Sequence, residues 1–149
     1  DISRLSFSQR GILHGLLENR VHVLCVHLGL LESGRKAQIG QLIRHIQDTI
    51  PDDEALILAG DFNDWRRSAH RRLKASCGLI EAGEAINNRL AVTYPAMLPI
   101  MPMDRIYLRG FSVSAVQVMA ESAWRQVSDH CAVMADIELD NTPEREPAQ

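Results

Sequence analysis

Residues 35–50 place Ile39, Leu42, Ile43, Ile46 and Ile50 at three- and four-residue intervals, the stripe of one buried helix face, and Pro51 ends the pattern. Ahead of that helix, residues 30–34 read as a loop. Residues 11–17 and 21–28 read as two strands around the turn Glu18-Asn19-Arg20, a β-hairpin. The run Val23-Leu24-Cys25-Val26 is apolar without alternation, which predicts a strand covered on both faces. Beyond Pro51, residues 55–59 form a short, wholly apolar strand closed by Gly60, and residues 66–75 a second, basic helix. Turn residues crowd 78–102, which predicts a loop-rich stretch. Three strands follow at 105–108, 112–119 and 131–139. In the last, Val133, Ala135, Ile137 and Leu139 share one face, while Asp136 and Glu138 take the other. From Asp140 the chain is polar and holds two prolines, so 140–149 is expected to be a disordered tail.

The 149 residues suit one domain, and 46% hydrophobic with 23% charged residues excludes a disordered chain. No apolar run approaches the ~20 residues of a membrane-spanning helix, so no transmembrane segment is expected. A net charge of −3 excludes a globally basic nucleic-acid coat and leaves a local basic patch open. The three cysteines, Cys25, Cys77 and Cys131, make no C-x-x-C knuckle. Cys25 and Cys131 sit in apolar runs, so buried free thiols in a reducing compartment are expected. That points to the cytoplasm, with a targeting segment before Asp1 left open.

The polar residues that interrupt the strands fall at strand ends. His27 closes the second strand, and Asp61 and Asn63 lie just past the third. Asp104 precedes the fourth, and Asp129 with His130 precedes the last. A helix between the second and third strands makes a parallel crossover, which brings their ends to one rim. If the later strands run antiparallel, their starts meet the same rim, where sheets carry chemistry on loops. Each residue also has a plain structural use. An Asp after a strand is often a turn former or helix cap, and isolated histidines such as His14, His22, His45 and His70 are ordinarily surface or satisfied groups.

In combination these segments resemble a known family. Val26-His27-Leu28, Leu58-Ala59-Gly60-Asp61-Phe62-Asn63, Met103-Asp104-Arg105-Ile106-Tyr107 and Ser128-Asp129-His130, in that order, resemble the endonuclease/exonuclease/phosphatase superfamily of DNase I-like, metal-dependent phosphodiesterases. The resemblance runs from about His14 to Leu139. It implies an α/β fold, the four-layer αββα sandwich, of which residues 1–139 would be the C-terminal part of a single domain. Family members open with a strand carrying an Asn and a strand ending in Gln-Glu, whose Glu holds the metal. Neither is found here, so the resemblance implies that the N-terminal strands precede Asp1.

The resemblance also implies roles. Asp61 would orient or deprotonate the attacking water and share the metal, and Asn63 would donate its amide to the phosphate or the nucleophile. Asp129 would be a metal ligand. His130 would stabilise the scissile phosphate, paired with Asp104, and His27 is a candidate general acid. The cofactor would be Mg²⁺ or Mn²⁺, and the substrate a phosphodiester in a nucleic acid, a lipid headgroup or a small molecule. Arg66 and Trp65 are candidate substrate contacts. The ordinary reading of Arg66, Arg67, Arg71, Arg72 and Lys74 is a solvated helix face, and Trp65 serves equally as a cap on the core. Two functions stand in competition: a metal-dependent phosphoester hydrolase in the whole protein, and a catalytically inactive fragment or interaction module. A sandwich short of strands leaves an exposed sheet, so self-association is a further expectation.

Overall fold

Four apolar residues of the predicted stripe, Ile39, Leu42, Ile43 and Ile46, are buried on helix α1, Glu32–Thr49, in the computed structural model, which describes residues 1–3 and 9–140. The helix starts before the expected residue 35. Glu32 suits the positive end of the helix dipole, and the Arg35 N–H donates to Leu31 O at 2.9 Å. Ile50 caps it, and Pro51 follows.

The strands β1 (Ile12–Leu16), β2 (Val21–His27), β3 (Ala55–Asp61), β4 (Ile80–Glu81) and β5 (Asp104–Arg109) form one sheet in the order β1-β2-β3-β5-β4. The β1–β2 hairpin is antiparallel, β2 and β3 are parallel across the α1 crossover, and β5 runs antiparallel to β3. One face of this sheet, with Leu24, Val26, Leu56 and Leu58, packs under α1 and under Leu73 of helix α2, Ser68–Cys77. A second sheet pairs β6 (Phe111–Met119) with β7 (Ala132–Leu139). Its Val113, Val116, Ala135 and Ile137 meet Val23, Ile57 and Ile106 on the opposite face of the first sheet. The layers run helices, sheet, sheet. The last strand therefore lies in a different sheet from Asp61, yet its N-terminal end reaches the same rim.

Several expectations need correcting. Strand β2 is covered on both faces only in part. Leu24 and Val26 are buried under α1, but Cys25 on the other face is exposed, because the small second sheet does not extend over the β1 edge. Leu13, the pairing partner of Cys25, is 73% exposed there. Cys77 and Cys131 are buried free thiols. The 78–102 stretch holds β4 and the helix α3, Ala82–Asn87, which is too short to show a helical stripe. A four-residue helix α4, Ser122–Arg125, was not expected either. The basic helix begins at Ser68, so Arg66 and Arg67 lie in the turn before it. Of the expected tail, 141–149 lies outside the described residues.

Three histidines that patterning left as isolated residues form a line behind the sheet. The His22 Nε2 sits 2.6 Å from a Glu54 oxygen, His14 Nε2 sits 2.8 Å from His22 Nδ1, and His45 Nε2 sits 3.0 Å from His14 Nδ1. Glu54, which also pairs with Arg20, only accepts, so each imidazole passes its N–H one step toward it. Burial, then the charges of His22 and His45, hold His14 below the usual histidine range.

Candidate active site

Cross-strand register assembles the site. His27 of β2 pairs with Asp61 of β3, and Asp61 pairs with Asp104 of β5. Directly paired residues point to the same face, so the three side chains stand side by side across adjacent strands at the rim, facing the second sheet. Both carboxylates are thus strand residues rather than loop residues. His27 Nε2 lies 3.4 Å from Asp61 Oδ2, with its ring largely in solvent.

The turn after β3 is held from two sides. The Asn63 backbone N–H donates to Asp61 Oδ1 at 2.8 Å. Its amide Nδ2 donates to Leu28 O at 2.9 Å and to Asp61 Oδ2 at 3.1 Å. Asn63 reaches this position through a left-handed backbone, φ 49°, not an extended one, and is buried. Its amide therefore fixes the Asp61 carboxylate. Gly60, at φ 141°, is required by contact as well as conformation, since a Cβ there would lie 1.9 Å from Val26 O.

The loop before β7 brings the fourth group. His130 Nδ1 donates to Asp104 Oδ2 at 2.7 Å, and the Tyr94 ring centroid lies 4.8 Å from that of the imidazole. Thr93 Oγ1 accepts from the Asp104 N–H at 3.2 Å. Among the described residues, Asp61, Asp104 and His130 bring one ligand atom each within 4.8 Å of one another, the one such group able to hold a metal ion. Two hard carboxylates fit Mg²⁺ or Mn²⁺. Asp129 is exposed on the adjoining loop and is not in that trio. Trp65 is 41% exposed beside the Arg35 guanidinium, whose carbon is 5.1 Å from the ring centroid. Arg66 is exposed and donates to Glu32 at 3.0 Å.

Residues 5–130 match the model of the Endonuclease/Exonuclease/phosphatase family. The chain belongs to that family. Within it, the chain is 38% identical over 144 residues to YbhP of Escherichia coli strain K12, an alignment covering 93% of this chain and 56% of YbhP. The YbhP of Shigella flexneri gives the same figures. The chain thus spans little more than half the length of these relatives. Among solved structures it resembles D. rerio TDP2 humanised by 14 mutations, with TM-score 0.64, 19% identity, and 85% and 59% of the two chains covered. It also resembles the Bacteroides thetaiotaomicron mannosyl-6-phosphatase Bt3783, with TM-score 0.65, 17% identity, and 80% and 51% covered. The fold matches the DNase I-like αββα sandwich of this endonuclease/exonuclease/phosphatase family, of which the chain supplies one helical layer and strands of both sheets.

Burial raises the Asp61 carboxyl above its usual range, and the Asp104 charge adds to this. The Asn63 N–H, His27 and His130 oppose it. Burial lowers His130, but the Asp104 hydrogen bond and the charges of Asp104, Asp61 and Asp129 outweigh it, so the imidazole titrates above its usual value. The cluster thus brings a more basic carboxylate, Asp61, beside a more readily charged histidine, His130. Patterning missed Thr93 and Tyr94, which steady the Asp104–His130 pair from a stretch read as loop. Two arginines of the adjoining segments, Arg105 and Arg35, are not free at the rim. Both are buried, Arg105 on Asp64 and Arg35 on the carbonyls of Gly29 and Leu30.

Proposed function

We propose that the full-length protein is a divalent-metal-dependent phosphoester hydrolase, a phosphodiesterase or nuclease. The observation that carries this reading is the alignment of His27, Asp61 and Asp104 in one register, with His130 docked on Asp104 at 2.7 Å. Asp61 takes the proton of the attacking water. Its raised basicity, which comes from burial, makes it a better acceptor near neutral pH. Asn63 holds both Asp61 oxygens and so aims the carboxylate. Asp104 accepts a hydrogen bond from His130 Nδ1–H, leaving Nε2–H to face a phosphoryl oxygen, and favours the charged imidazolium that stabilises the negative transition state. His27, the most solvent-exposed member, stands where it can protonate the departing oxygen. Mg²⁺ or Mn²⁺ held by Asp61 and Asp104, with Asp129 contributing from the facing loop, would neutralise phosphate charge and lower the pKa of water.

The fold alone does not choose a substrate, since its relatives include a D. rerio TDP2 complexed with a single-strand DNA product and a mannosyl-6-phosphatase. The test is turnover of bis(4-nitrophenyl) phosphate by the full-length protein. Turnover is expected with Mg²⁺ or Mn²⁺, lost with EDTA and restored by excess metal. Turnover indifferent to EDTA would overturn the metal-dependent reading.

A further inference from the structure

The loop between β2 and α1 carries three consecutive carbonyls, and each is taken by a buried side chain. Leu28 O accepts from Asn63 Nδ2 at 2.9 Å, and Gly29 O and Leu30 O accept from Arg35 Nη1 at 3.0 and 2.7 Å. The Gly29 N–H in turn donates to Gln38 Oε1 at 2.8 Å. Arg35 and Gln38 are each 2% exposed and stand one above the other on a single face of α1. Ile39 and Leu42 beside them are locked in the core, so both polar groups are presented from a rigid element. The Arg35 guanidinium also lies over the ring of Trp65, which follows Asn63 in the turn after β3. One buried side chain therefore touches the segments on both sides of the Leu28–Asn63 bond.

That bond leads straight to Asp61. The Asn63 Nδ2 donates both to Leu28 O and to Asp61 Oδ2, and the Leu28 N–H returns to Asp61 O at 2.8 Å. Where Leu28 O stands sets how Asn63 turns its amide. The amide, with the Asn63 backbone N–H, then sets both Asp61 oxygens. Stability alone does not call for a guanidinium at residue 35. Exchanging buried charged groups for apolar ones of similar volume is often neutral or stabilising, and Arg35 Nη2 is buried with no hydrogen-bond partner. What Arg35 supplies and an apolar group cannot is a donor that holds two neighbouring carbonyls from one nitrogen. A shift of about 1 Å that begins far from the reacting atoms can cost ~10²-fold in rate. The placement of this loop therefore bears on how well Asp61 is aimed.

We propose that Arg35 and Gln38 are positioning residues of the hydrolytic site, which fix the Leu28 carbonyl and, through the Asn63 amide, the orientation of the Asp61 carboxylate. The proposal rests on the hydrolase reading above. The test compares full-length wild type with Arg35→Met, Arg35→Lys and Gln38→Met. Three readouts are kcat and KM on bis(4-nitrophenyl) phosphate at saturating Mg²⁺, hydrogen-exchange protection of the Asn63 side-chain amide by NMR, and thermal melting. Arg35→Met is expected to lower kcat at least ~10-fold with KM within about two-fold, the pattern of an interaction felt in the transition state, and to lose the Asn63 protection. Arg35→Lys keeps a donor but not the planar fork, and is expected to recover part of both. Gln38→Met leaves Arg35 in place and is expected to lower kcat at least ~3-fold, less than the full effect of a supporting contact. It carries the test if Arg35→Met does not fold. Variants that melt earlier but keep wild-type kcat and Asn63 protection show a purely structural role, which overturns this inference and leaves the hydrolase reading standing. A wild type inert on the diester overturns the hydrolase reading, and the proposal with it.

Discussion

Asp61→Ala in the full-length protein is expected to lower phosphodiester turnover by ~10²-fold or more, the usual cost of removing a positioned general base. The reason lies in how much converges on this one carboxylate. It ends β3 between His27 and Asp104, it accepts two bonds from Asn63, and it belongs to the trio able to hold a cation. Alanine removes the proton acceptor and one metal ligand together. It also frees the Asn63 amide, although that group keeps Leu28 O as a partner, so the fold should survive. The check is kcat on the soluble diester alongside thermal melting. An unchanged melting curve with a collapsed kcat is the expected pair of results, and a variant with wild-type kcat would remove Asp61 from the mechanism.

The largest expected effect on stability belongs to Asp64, three residues on. Asp64 is fully buried, and its carboxylate accepts from the backbone N–H groups of Ser68, Ala69 and His70 at 3.0, 2.9 and 3.2 Å, which caps α2. The same carboxylate pairs with the buried guanidinium of Arg105 at 3.1 Å. Arg105 also donates to Tyr107 Oη and to the carbonyls of Asp64 and Pro102. Removing one partner of a buried pair leaves the other charge uncompensated, which typically costs about 3–5 kcal/mol. A lost cap adds about 1 kcal/mol. Asp64→Ala is therefore expected to lower the urea midpoint sharply or to prevent folding. Asp64→Asn, which keeps one of the two acceptor oxygens of the cap and loses the charge, should be intermediate. A midpoint unchanged in Asp64→Ala would contradict this account of the pair.

The contrast between Asp61 and Asp64 shows what a sequence makes legible. Asp61 follows an apolar strand and a glycine, and its relation to His27 and Asp104 depends only on strand direction and crossover, both of which patterning gives. Asp64 sits in the same short run, but its use depends on an arginine 41 residues away. Arg105 is placed by alternation: Asp104 faces the second sheet, so its neighbour faces α2. Cys25 was misjudged because an apolar run reports hydrophobicity and not which sheet extends over it. Helix α3 was missed because six residues hold less than two turns. Asn63 reads in the sequence as an amide donor to a phosphate or nucleophile, whereas in the fold that amide is held by Leu28 O and Asp61, through a left-handed φ that depends on where the β2 loop passes.

The proposed hydrolysis requires a divalent-cation site at Asp61, Asp104 and His130. The deciding measurement is an electron paramagnetic resonance titration of Mn²⁺ into the full-length protein, in which bound ion leaves the free-ion signal. Wild type is predicted to bind one Mn²⁺ that Mg²⁺ displaces, and Asp61→Asn/Asp104→Asn to weaken that binding at least ~10-fold, the lower range for damaged metal sites. A double variant that binds Mn²⁺ as tightly as wild type would place the metal elsewhere and contradict the account.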